Sequence, residues 1–136
     1  MRRSEEEIQL LRDWLAFAKE NLLAAKALIS EDFAPFHTVC FLSQGSAEKY
    51  LKAFLIWQGW SLKKTHALSE LLKYCSDYDE NLVQLASECQ LLNDYAIEGR
   101  YPGDLPFEGI GKQDAKEAIE AAEKIEALVL ERIGVS

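Results

Sequence analysis

Seven residues combine type and spacing in a way that could support chemistry. Gln44, Glu48 and Lys52 are spaced four apart, so on a helix they stack along one side. An acid four residues before a lysine is the favourable order for an intrahelical ion pair. Two readings of the trio stay open: that pair on a solvated stripe, or a polar patch lining a cleft or subunit contact. Thr65 and His66 stand where a helix should begin, and the free N–H groups of a helix start can hold an anion. Capping alone also accounts for the threonine, and His66 then becomes an ordinary surface or packing histidine. Arg100 and Tyr101 pair a guanidinium with an aromatic ring, a combination suited to phosphate and base contacts. The helix dipole and the following Pro102 explain the same two residues without a ligand.

Other chemistry has no residues to carry it. The sequence contains no P-loop and no HExxH motif, and its two histidines, His37 and His66, belong to different predicted helices. No metal and no cofactor is therefore expected. Cys40, Cys75 and Cys89 lack metal-ligand spacing and sit in apolar helical surroundings, which predicts buried, inert thiols.

The elements that must position these residues are helices. From Ser4 and Glu7, a capping-box pair, a first helix is predicted over about Glu5 to Ile29. Ile8, Leu11, Trp14, Leu15, Ala18, Leu22, Ala25 and Ile29 form its apolar face, while Arg12, Lys19, Glu20 and Lys26 are left to solvent. Pro35 opens a second helix that ends near Gln58, with Gly59 as its stop. That helix is apolar almost all round, which suits the middle of a bundle or a subunit interface.

Thr65 is expected to cap a third helix bearing Leu68, Leu71, Leu72 and Cys75, and a turn at Ser76-Asp77-Tyr78-Asp79 follows. A fourth helix is predicted from about Glu80 to Glu98, with Leu82, Leu85, Ala86, Cys89, Leu92 and Ala96 on one face. A fifth, from about Lys112 to Ile133, should bury Ala115, Ile119, Ala122, Ile125 and Val129. Between them, residues 99–111 hold four of the seven glycines and two of the three prolines. A loop of that length in a bundle is more often functional than neutral. The expected fold is all-α, an up-and-down bundle of about five helices forming one domain over residues 1–136.

Composition narrows the function further. The 136 residues are 49% hydrophobic and carry a net charge of −8, which argues against tight, non-specific nucleic-acid binding. No apolar run reaches the roughly 20 residues that span a bilayer, and no signal-peptide pattern follows Arg2-Arg3. A cytoplasmic protein with no membrane partner is expected.

Four segments together resemble the HEPN family (higher eukaryotes and prokaryotes nucleotide-binding domain). They are Trp14-Leu15-Ala16, the run from Gln44 to Ala53, Lys64-Thr65-His66-Ala67-Leu68, and Asp94 to Pro102 with Arg100-Tyr101-Pro102 at its end. The resemblance implies a helical bundle that homodimerises, a role in nucleotide or RNA chemistry, and in many small members a minimal nucleotidyltransferase as partner. It makes Gln44, Glu48, Lys52, Thr65, His66, Arg100 and Tyr101 candidates for contact with a nucleotide or that partner. Other members are ribonuclease toxins of toxin–antitoxin pairs, with an arginine followed four to six residues later by a histidine. Here no histidine follows Arg100, and neither histidine has an arginine at that spacing upstream. A non-catalytic partner is therefore the expected function. The alternative is a toxin with a variant site that combines Arg100, Tyr101 and His66.

Overall fold

The computed structural model describes residues 3–31, 34–61, 67–95 and 110–134. Five α-helices account for most of them: α1 (Glu5–Ile29), α2 (Phe36–Trp57), α3 (Leu68–Tyr78), α4 (Ala86–Asn93) and α5 (Lys112–Ile133). No strand occurs among the described residues, and none of their helices is long and apolar enough to cross a membrane.

The helix ends follow from local chemistry. Ser4 Oγ accepts a hydrogen bond from the Glu7 amide at 3.1 Å, satisfying a donor that the first turn leaves free. Pro35 takes the N-cap position, one residue earlier than predicted, and its carbonyl receives the Val39 amide at 3.0 Å. Past the end of α2, Gly59 adopts φ +93°, a left-handed conformation that costs glycine little. Gly134 ends α5 the same way at φ +88°, with its amide on the Leu130 carbonyl at 3.0 Å. At the other end of α5, the Asp114 carboxylate accepts from the Gly111 amide at 2.9 Å.

Further boundaries depart from expectation, among them the end of the fourth helix, which stops at Asn93 where about Glu98 was predicted. Helix α3 begins at Leu68 with Ala67 at its N-cap, and Thr65 and His66 lie outside the described residues. The Leu68 amide is satisfied at long range by Asn93 Oδ1, 3.0 Å away at the end of α4. Helix α3 also runs through Tyr78, so the expected four-residue turn shrinks to Asp79. The predicted fourth helix starts as a 3-10 turn, Glu80–Leu85, before α4 proper. Asp79 Oδ1 caps that turn by accepting from the Asn81 amide at 3.0 Å. Leu82 and Leu85 are three apart, so the three-residue period keeps both on the core side.

Helix α2 is the centre of the bundle, packed against α1 and α5 most extensively and against α3 and α4 as well. The contacts Arg3–Trp57, Trp14–Lys52 and Ala18–Ser46 step in opposite directions along the two chains, so α1 and α2 are antiparallel. Ala18, Leu22 and Ala25 of α1 share the core with Tyr50, Leu51, Phe54 and Leu55 of α2 and with Ala118, Ala122 and Ile125 of α5. All five residues expected to be buried in α5 are buried, whereas Ala86 of α4 is exposed. Arg132 joins α5 to the start of the 3-10 turn through Asp79, by a hydrogen bond from Nη2 to Oδ1 at 3.1 Å and an ion-pair approach of Nε to Oδ2 at 2.7 Å. That guanidinium, together with the Asn81 amide, holds the Asp79 carboxyl below its ordinary range.

Candidate functional site

Central position explains why α2 is apolar almost all round, and it makes the polar groups on α2 costly unless they are paired. The predicted ladder exists and is buried. Lys52 is 4% exposed and Gln44 3% exposed, so the solvated-stripe reading of this side does not hold. Lys52 Nζ lies 3.0 Å from Glu48 Oε2, and Gln44 Nε2 reaches Glu48 Oε1 over a long 3.4 Å. The ammonium also sits 5.5 Å from the ring centroid of Trp14 on α1, within the range of a cation–π contact. A charge removed from water is thus met by a carboxylate from its own helix and an aromatic face from the neighbouring one.

Beside the ladder, three further residues join α2 to α1. Ser46 Oγ donates to the Ala18 carbonyl at 2.7 Å, fully buried. Lys49 Nζ donates to Asn21 Oδ1 at 2.7 Å, and burial pulls the Lys49 ammonium below its usual range. Gly45 makes room for this: a Cβ there would lie 3.2 Å from Asn21 Oδ1. Spacing within one helix could not disclose Trp14, Asn21 or Ser46 as members of the group. A glycine in mid-helix was the available sign of a close approach.

Thr65, His66, Arg100 and Tyr101 lie outside the described residues. The residues that flank their segments converge on one part of the bundle. Asn93 of α4 caps the Leu68 amide, and Tyr95, two residues further on, is hydrogen-bonded to Cys40 of α2. Cys40 lies one helical turn before Gln44. His37 is half-buried on the same part of α2.

The three thiols are buried and unpaired by disulfides, as their surroundings suggested. Burial pushes the Cys40 thiol up to about 11 and Cys89 up to about 12, which leaves them protonated and poorly nucleophilic. No metal-binding group of histidine, cysteine and acid occurs among the described residues. The α4–α5 cleft, lined by Glu88, Leu91, Glu117, Glu120 and Lys124 among others, contains none of the sequence candidates.

The fold has known relatives. The HEPN domain family model matches residues 11–133. The crystal structure of TT1696 from Thermus thermophilus is similar at 30% identity and a TM-score of 0.76, covering 89% of this chain and 96% of that one. ST0689, described as an archaeal HEPN homologue, is similar at 27% identity and a TM-score of 0.73, with 98% and 99% covered. No curated protein matches the chain. A family match over nearly the whole length, agreeing with both solved folds, means that the chain belongs to the HEPN domain family.

Proposed function

We propose that this HEPN protein is a non-catalytic, homodimeric partner of a minimal nucleotidyltransferase and contributes nucleotide binding to the pair. The supporting observation is how the chain is anchored beside both candidate segments: the Leu68 amide donates to Asn93 Oδ1, and Tyr95 is hydrogen-bonded to Cys40, one helical turn before Gln44 on α2. In this reading Lys52 and Glu48 set the geometry, and Arg100, Tyr101, Thr65 and His66 supply the contacts to phosphate and base. A guanidinium and an aromatic ring are the groups such a ligand requires, and neither needs a metal. The missing arginine–histidine spacing is the reason to assign a binding role and leave proton transfer out.

The test is co-expression with a minimal nucleotidyltransferase, followed by light scattering and calorimetry with ATP. A stable complex containing two copies of this chain is expected, with ATP affinity reduced by Arg100→Ala. A monomer at micromolar concentration that binds neither transferase nor ATP would overturn the proposal.

A further inference from the structure

Helix α1 also turns apolar residues outward, along the edge that Trp14 shares with the ladder. Leu10 is 41% exposed and Phe17 57% exposed, and half-buried Trp14 stands between them at helical spacing. These three form a ridge of the i, i+4, i+7 kind that helix-in-groove recognition uses. Glu6, Asp13 and Glu20 run beside the ridge and are all exposed. Asp13 accepts from Gln9 Nε2 at 2.9 Å, a neutral contact that leaves its charge in place. The cations nearby are engaged or point elsewhere. Arg3 reaches the Trp57 carbonyl and ring, Lys52 is paired with Glu48, Lys49 is held by Asn21, and Arg12 and Lys19 fall off the stripe.

We infer that the Leu10–Trp14–Phe17 ridge is a docking surface for an amphipathic helix of a different protein, one whose apolar face is bordered by lysine or arginine. The charged border selects for a basic occupant. A second copy laid antiparallel on this stripe about a two-fold axis sets acids against acids, Asp13 facing Asp13 and Glu6 facing Glu20. Like charges at an interface reject that partner, whereas a basic border is attracted and steered by the same three carboxylates. The surface deepens the partner reading above, since it states what chemistry the partner must present.

Three helical peptides with the same leucine and phenylalanine positions serve as probes, with borders of lysine, glutamine or glutamate. Fluorescence anisotropy should rank them lysine, glutamine, glutamate, with roughly tenfold or more between the first two at low salt, narrowing as salt rises. Phe17→Ser should weaken the lysine peptide by roughly tenfold or more, as expected for loss of an aromatic anchor. Asp13→Lys should erase the preference for lysine, while the same charge change on α5, Glu131→Lys, should not. Circular dichroism checks that each exposed substitution keeps its helices. Equal binding of the three peptides, or indifference to Phe17→Ser, overturns the inference. So does a Phe17→Ser variant that sediments as a monomer when the parent chain is a dimer, because a second copy then owns the face. A transferase that binds Phe17→Ser at full affinity removes this surface and leaves the partnership standing. Intact peptide binding with no transferase binding removes the partnership alone.

Discussion

Along its seam with α5, helix α2 meets Ala118, Ala122 and Ile125, with a polar link from Tyr50 to Glu126. Along its seam with α1 it meets a carbonyl, an amide and an indole, through Ser46, Lys49 and Lys52. Both seams are close-packed, but they do different work. Apolar contact is non-directional and supplies free energy in proportion to area. Polar pairs add little net stability and penalise any other alignment, because each misplaced group loses its one partner. Apolar contact therefore holds the bundle together along both seams, and the polar contacts of the α1 seam select in addition the register in which it is held.

The largest effect should come from the dry core. Phe54 is fully buried, with its ring 6.0 Å from Trp57, and Phe54→Ala should cost about 3–5 kcal/mol in urea unfolding. Next, Lys52→Met removes the buried cation 3.0 Å from Glu48 and should cost about 3 kcal/mol, while Lys52→Met with Glu48→Gln should cost less than that single change. A double variant no better than the single would mean that the pair stabilises and does not merely set register.

Tyr50→Phe should cost about 1 kcal/mol. Burial and the Glu126 carboxylate raise the Tyr50 phenol above its ordinary 10.0. A raised value in the folded state means that this stabilisation is complete below pH 10 and declines as pH climbs toward the folded value. The variant should lose that part of the alkaline decline. Smallest is Gly45→Ala. A helix gains about 1 kcal/mol from alanine over glycine, but the new Cβ crowds Asn21 Oδ1, so the change should come out near neutral. In an Asn21→Ala background the same change should recover the full gain.

Periodicity within a helix was readable from the sequence. The α1 stripe, the buried set of α5 and the shared side of Gln44, Glu48 and Lys52 all follow from which residues lie three or four apart. What periodicity does not carry is which residue of another helix stands opposite. Burial of the ladder depends on Trp14, and the start of α3 depends on Asn93, a residue 25 positions away. The 3-10 turn was hidden for a related reason. Leu82 and Leu85 fit a period of 3.0 or 3.6 equally well until Asp79 and its ion pair with Arg132 fix the turn's beginning.

The cap on Leu68 changes what solvent exchange at that amide would measure. A first-turn amide in an ordinary helix exchanges by local fraying, on a fast timescale and with little protection. Here the acceptor belongs to α4, so the Leu68 hydrogen opens to solvent when Asn93 moves away from it. Its protection reports the docking of α4 onto α3. One backbone position thereby becomes a gauge of whether the chain ends beside both candidate segments are held together, readable without touching either segment.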